Sequence, residues 1–352
     1  MDDYEQHVFY IFPGQGSQYA GMGSDLHEEF AVARDVYARA GEVLGYDIAE
    51  LSFKDPEDNL NLTRFTQPAL LTHSYACLQV FRELTDDRLK PAIAAGHSLG
   101  EYSALVAAKV LTFESALKLV QKRGELMGDY GEGEMSAFPL DLDTIKPIAE
   151  KHRCAVAGCN LPEQTVVGGR AEDLELVEQE VLEQFARKRP VRLKTEGAFH
   201  TYYMEKAAEL FRPVLEDASF GSAEARVLSN YTGGFHDADA AKIRVARITV
   251  FAACTVGATF AVYVASLLVP VMAALFWRRA TRAGAFASAC IAFLALVGLY
   301  AMKFAGALPD TIEPIPFSMA LGLVAMVAVS LARGRHATAT PPLVELNSAS
   351  DR

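Results

Sequence analysis

Residues 91–108 read PAIAAGHSLGEYSALVAA, and the reading of this stretch decides the fold. Residues 91–96 are a short apolar run with the length of a buried strand, and residues 101–111 are small and helix-compatible. Between them, Gly96-His97-Ser98-Leu99-Gly100 matches G-x-S-x-G, a sharp strand-to-helix turn that presents a serine nucleophile. The two glycines leave room for the turn and for close packing of the helix. Ser98 then comes to the helix N-terminus, where the field favours developing negative charge, and it is the candidate nucleophile.

Working outward, the pattern repeats. Residues 7–12 (HVFYIF) predict a short buried strand, ended by Pro13-Gly14-Gln15-Gly16, and helical periodicity follows over residues 24–44 and again over 68–84. Strands separated by helices are the order a buried parallel sheet requires. From residue 131 to about 194 the texture changes. Strand-like pieces at 135–140, 154–158, 165–168 and 191–194 alternate with charged helices near 143–151 and 172–187. This β-α-β-β-α-β rhythm predicts an inserted ferredoxin-like subdomain. Residues 202–217 then read as helix and 226–230 (RVLSN) as a returning strand. The fold class is therefore α/β, a parallel-sheet, hydrolase-like large domain with a ferredoxin-like insertion.

Charge divides the 352-residue chain in two. Residues 1–247 hold 26 of the 33 basic and 40 of the 44 acidic side chains, a net of −14, whereas residues 248–352 hold 7 and 4, a net of +3. An acidic surface of that size repels phosphate backbones, so no nucleic-acid partner is expected. Five cysteines, at 77, 154, 159, 254 and 290, make no disulfide scaffold and show no zinc spacing with histidine, so no metal is expected. They read as reduced, buried thiols. The opening MDDYEQHVFYIF is acidic where an export signal is basic, which predicts a cytoplasmic first domain. Beyond it, residues 248–276, 285–302 and 317–332 are uncharged runs of 29, 18 and 16 residues. About 20 apolar residues span a bilayer, so two or three transmembrane helices are predicted within 248–332, followed by a disordered polar tail at 333–352.

A serine nucleophile needs a base. His200, in Gly197-Ala198-Phe199-His200, ends a strand-like stretch and precedes a helix, and it is the best placed of the eight histidines. His7, His27, His73, His152, His236 and His336 read as solvated or packing residues, and the side chain of His97 is expected to diverge from that of its neighbour Ser98.

Four motifs now carry a resemblance. Phe12-Pro13-Gly14-Gln15-Gly16-Ser17-Gln18, then residues 96–105 (GHSLGEYSAL), then Arg123-Gly124 and Gly197-Ala198-Phe199-His200 resemble the malonyl-CoA:acyl-carrier-protein transacylase family, including the discrete acyltransferases of polyketide synthases. The resemblance covers residues 7–244. It implies a large subdomain from 1–130 and 198–244 and a small one from 131–197. It implies malonyl-CoA as substrate, an acyl carrier protein as partner, and no cofactor. Ser98 becomes the acylated nucleophile and His200 the general base. Gln15 and the Leu99 N–H form the oxyanion hole, Arg123 clamps the malonyl carboxylate, and His97 and Phe199 line the acyl group. An arginine in an acyl pocket selects for a free carboxylate, and Phe199 with Leu99 resembles the malonyl rather than the methylmalonyl form of the motifs. Read without the family, Arg123 is a surface helix arginine paired with Glu125 or Asp129.

Past residue 244 the resemblance stops, which predicts a C-terminally truncated large domain without the segment whose main-chain carbonyl orients the family's histidine. Residues 266–284 are similar to the closing part of sodium:solute symporters. Arg278, Arg279 and Arg282 place the first membrane loop inside, Asp310 and Glu313 suit the outside, and Arg333 with Arg335 returns the end inside. Three spans then put residue 247 outside, although Lys242, Arg244 and Arg247 favour the inside. The two halves disagree about sidedness, and a joint is predicted at residues 242–248. Two other functions use the same features. A serine hydrolase or thioesterase would add an acidic third member and dispense with Arg123. A catalytically dead, membrane-anchored carrier-binding protein would bind without turnover.

Overall fold

The structure, a computed structural model, describes residues 8–236, together with helical residues at 288, 291, 295, 320–325 and 327–329. The chain divides into two units, Met1–Ala258 and Thr259–Arg352, and the candidate site lies wholly in the first.

The large lobe is built on a three-stranded sheet of β1 (Val8–Phe12), β2 (Pro91–Gly96) and β7 (Arg226–Val227), in the order β1-β2-β7 with all pairs parallel. Along β1 the side chains alternate: Tyr10 and Phe12 are buried while Phe9 and Ile11 are exposed. Between β1 and β2 the chain runs through α1 (Ser24–Glu29), α2 (Ala31–Leu44), α3 (Ile48–Phe53) and α4 (Thr63–Leu84). Beyond β2 come α5 (Gly100–Ala107) and α6 (Phe113–Tyr130). The middle strand is thus the one that ends in the serine turn, and α5, every residue of which is buried, packs on both β1 and β2.

The small lobe follows in the order β3 (Glu134–Phe138), α7 (Leu142–Lys151), β4 (Ala155–Leu161), β5 (Gln164–Gly169), α8 (Ala171–Gln184) and β6 (Val191–Leu193). Its sheet runs β4-β5-β3-β6, antiparallel throughout, the ferredoxin-like arrangement. Phe138, Ile145, Val167, Leu174, Val177 and Val181 form a core of its own under α7 and α8. A 3-10 turn at Tyr202–Met204 and α9 (Glu205–Asp217) return the chain to the large lobe.

Local chemistry explains where elements depart from the periodicity. The single helix expected over 24–44 is broken at Phe30, which is extended at φ −114° and ψ 126°. Arg34 Nη1 donates to the carbonyls of His27 and Glu28, both at 3.0 Å, and so takes up acceptors left by the end of α1. The helix expected from residue 68 begins at Thr63 and carries Pro68 within it. The strand expected over 226–230 stops after Val227, because the Ser229 N–H donates to the Gly234 carbonyl at 2.8 Å and turns the chain back. Of the three described cysteines only Cys154 is buried, whereas Cys77 is exposed and Cys159 half-buried, which corrects the expectation of buried thiols throughout.

Among the described residues no helix is long and apolar enough to cross a membrane. The predicted joint at 242–248, almost all of the three apolar runs and the tail at 333–352 lie outside the described residues.

Candidate active site

The serine turn is shaped by close approach. A Cβ on Gly96 would overlap the main chain of Gly100, and one on Gly100 would overlap the carbonyl of Phe12. Neither position has room for a side chain, so β2 and α5 can meet at this angle only with glycine at both. Ser98 sits between them at φ 49°, in the left-handed region that non-glycine residues rarely occupy. The Pro13-Gly14-Gln15-Gly16 loop leaves β1 beside the same turn, and Gly14 lies so close to the carbonyl and Nδ1 of His97 that a methyl there would clash.

His200 arrives from the other side. Its loop is wedged between small residues: the Ala198 N–H donates to the Glu132 carbonyl at 2.8 Å, and added methyls on Gly168 or Gly197 would press against Ala198 or against Gly131. His200 also has a positive φ, 61°. The result is a direct contact of 2.8 Å between Ser98 Oγ and His200 Nε2, with both residues 8% exposed. A deprotonated Nε2 at that distance can take the serine proton.

Arg123 is the third member of the group. It is the largest fully buried side chain among the described residues, 1% exposed, and its Nη2 donates to Ser98 Oγ at 3.3 Å. The guanidinium carbon lies 5.9 Å from the centroid of the Tyr102 ring. This overturns the surface alternative, because Asp129 pairs with Arg64 and Glu125 with Lys122. A buried cation beside a nucleophile favours an anionic group bound at the same point.

Of the remaining sequence candidates, Leu99, His97 and Phe199 are chain neighbours of Ser98 or His200, and Gln15 belongs to the loop whose Gly14 abuts His97. Leu99 is 1% exposed, and among the described residues no acceptor takes its N–H, which stands at the start of α5. Gln15 Nε2 donates to Thr63 Oγ1 at 3.1 Å. That nitrogen carries two hydrogens, so one remains after the bond to Thr63. Phe199 is buried, 6% exposed. The His97 side chain bonds Asn160 Oδ1 on β4 at 3.3 Å, and burial holds its pKa below the ordinary value against the opposing pull of that bond.

Sequence reasoning missed three residues behind the turn: Asn230, Glu101 and His236. His236 is neither solvated nor merely packing, since its Nε2 lies 2.6 Å from Glu101 Oε1 and its side chain is 4% exposed. Glu101 stands in the serine motif itself, so a fully buried carboxylate there could have been singled out. Nothing local marked its partners. His152, also read as solvated or packing, is bonded to Glu180 at 2.6 Å.

A serine turn, a histidine on its hydroxyl and a buried arginine on the same oxygen are the parts of an acyl-transfer site. The acyl transferase domain family matches residues 9–245. The chain belongs to this family. Curated relatives include the malonyl CoA-acyl carrier protein transacylase of Bacillus subtilis, 39% identical over 232 residues, which cover 63% of this chain and 72% of that one. The polyketide biosynthesis malonyl CoA-acyl carrier protein transacylase PksC of the same organism is 40% identical over 229 residues, 63% of this chain and 77% of its own. Among solved structures, the transacylase fabD from Coxiella burnetii aligns with a TM-score of 0.69 at 32% identity, covering 74% of this chain and 83% of that one. A malonyl-transacylase solved in complex with a type II polyketide synthase acyl-carrier protein aligns at 0.68 and 34%, covering 73% and 85%. The parallel-sheet α/β acyltransferase fold is thereby shared, and the chain is an acyltransferase. The family match ends at residue 245, ahead of the stretch 266–284 read as similar to sodium:solute symporters.

Proposed function

We propose that this chain moves a malonyl group from malonyl-CoA to the phosphopantetheine thiol of an acyl carrier protein, in fatty-acid or polyketide synthesis. His200 Nε2 takes the proton of Ser98, whose Oγ attacks the malonyl thioester carbonyl. The C–S bond breaks, the proton passes to the CoA sulfur, and a malonyl ester remains on Ser98. In the second half the carrier's thiol gives its proton to His200 and attacks the ester, restoring the serine. The Leu99 N–H and the second hydrogen of Gln15 Nε2 are the donors for the oxyanion of each tetrahedral intermediate. Arg123 holds the free carboxylate of the acyl group, while His97 and Phe199 line its pocket. This chemistry asks for no cofactor or metal from the chain.

The observation that carries the reading is the burial of Arg123 within hydrogen-bond distance of Ser98 Oγ. A serine hydrolase acting on neutral esters would gain nothing from a buried cation there and would carry its desolvation cost. The test is labelling by radioactive malonyl-CoA. Wild-type chain takes up one malonyl group at Ser98 and passes it to a carrier protein, and Ser98→Ala takes up none. Label persisting at another residue overturns the assignment. We also read the catalytic part as cytoplasmic and residues 248–332 as its membrane attachment, on the strength of 29 consecutive uncharged residues. Full-length chain then sediments with membranes, and recovery of all of it in the soluble fraction overturns this part.

A further inference from the structure

Behind the serine turn lies a buried polar cluster that the transfer chemistry leaves unused. Glu101, in the first turn of α5, has no exposed surface. Its Oε2 accepts the main-chain N–H of Asn230 at 3.0 Å, and its Oε1 meets His236 Nε2 at 2.6 Å. Both partners belong to one tight loop, which Ser229 closes by bonding the main chain of Gly233 and Gly234. A carboxylate is costly to bury unless it is paired and hydrogen-bonded, so the cluster fixes the position of that loop against α5.

The consequence appears at the Asn230 side chain. Its Oδ1 accepts the N–H of Ser98 at 2.8 Å, and its Nδ2 donates to the Gly96 carbonyl at 2.7 Å. These are the polar groups at the two ends of the turn, just where the strand's ladder has ended and the helix's has not begun. One primary amide, with donor and acceptor side by side, satisfies both at once. It therefore braces the span that holds Ser98 at φ 49°, a conformation that persists only where the surroundings over-determine it.

We propose that Asn230, seated by the Glu101–His236 pair, is a positioning residue for the Ser98 nucleophile. Its carboxamide holds the left-handed turn and so keeps Oγ on His200 Nε2. The proposal depends on the acyl-serine reading only for Ser98 being the reactive group, not for which acyl group it carries.

The test uses full-length chain and two readouts. Labelling of Ser98 by a neutral fluorophosphonate reads the nucleophile whatever the natural acyl donor. The dissociation constant of malonyl-CoA, measured in a Ser98→Ala background, reads the binding site. Asn230→Ala should slow labelling per folded molecule by about 10- to 100-fold, the scale of an ångström-sized misplacement, with the dissociation constant changed less than about two-fold. Glu101→Gln keeps an acceptor for the Asn230 N–H and should recover most of the labelling rate that Glu101→Ala loses. If Asn230→Ala does not fold, the isosteric Asn230→Asp replaces the donor toward the Gly96 carbonyl with an acceptor and should give the same selective loss. Labelling at the wild-type rate by the folded Asn230 variants overturns the proposal, as does a fall matched by an equal loss of malonyl-CoA binding. If the wild-type chain labels with the fluorophosphonate but takes no malonyl, the functional reading fails while the positioning role is still tested.

Discussion

Replacing Arg123 by alanine separates its two possible contributions, charge and bulk. The side chain is 1% exposed, touches Ser98 Oγ at 3.3 Å and lies near the Tyr102 ring, so its removal takes away both a cation and packed volume. Leaving a charged partner buried and unpaired typically costs about 2–5 kcal/mol, which at about 1.4 kcal/mol per decade is a loss of about 30- to 4,000-fold in kcat/KM for malonyl-CoA. Acetyl-CoA has no carboxylate to lose. For acetyl the variant removes a buried charge that the acyl group does not match, so its transfer should hold steady or rise. Cavity formation and any shift of the serine act on both substrates alike, and the ratio of the two rates cancels them. The assay is transfer to a carrier protein from malonyl-CoA and acetyl-CoA, normalised to Ser98 titrated with a fluorophosphonate. Arg123→Lys keeps the charge but loses the planar fork, and should fall between wild type and alanine for malonyl. An equal fall for both acyl groups in Arg123→Ala would refute the carboxylate clamp and leave Arg123 a structural residue.

Three further outcomes are expected. Gln15→Ala should lower kcat by roughly 10²- to 10³-fold with little change in KM, the usual loss for one oxyanion donor, and steady-state kinetics that show only a KM effect would remove Gln15 from that role. Gly100→Ala should lower stability by about 2–4 kcal/mol, because the added methyl meets the Phe12 carbonyl, a fixed backbone atom; urea melts coinciding with wild type would contradict the close approach. Burial holds His97 below its ordinary value of 6.5, so between 6.5 and the lower folded value the unfolded chain binds the extra proton. Stability therefore falls as pH drops through 6.5, and His97→Gln should flatten that part of the curve in melts at graded pH.

The serine turn was legible because it is local. Strand, turn and helix occupy residues 91–107, and the glycines that the geometry demands are the ones that mark the motif. His200 was found from its place at the end of a strand-like stretch, although its loop is in fact held by small residues at 131, 168 and 197. Arg123 was not legible from the residues alone. On its own helix it has acidic neighbours at positions 125 and 129 that suggest a surface pair, and only tertiary packing turns it inward while Lys122 and Arg64 take those carboxylates. Helix boundaries failed where side chains cap backbone groups across a break, as Arg34 does at Phe30. Asn230 and His236 were invisible for a related reason: their meaning lies in a carboxylate about 130 positions earlier in the chain.

That distance has a consequence for how the site is held. Ser98 and His200 both sit at positive φ, and each such residue costs of order 1–3 kcal/mol. Their 2.8 Å contact alone cannot repay two strained conformations, since a net hydrogen bond contributes only about 1 kcal/mol. The strain must be carried by the surroundings, and the structure supplies different supports to the two sides. On the histidine side the loop is pinned by the Glu132 carbonyl and by glycines too close to admit a methyl. On the serine side the turn is held by Gly96 and Gly100 from below and by the Asn230 carboxamide across its ends. The two supports share no residue, so loosening one should leave the other intact. A change at Asn230 should therefore move Ser98 away from a histidine that stays in place, losing nucleophilicity while the acyl pocket around Arg123 keeps its shape.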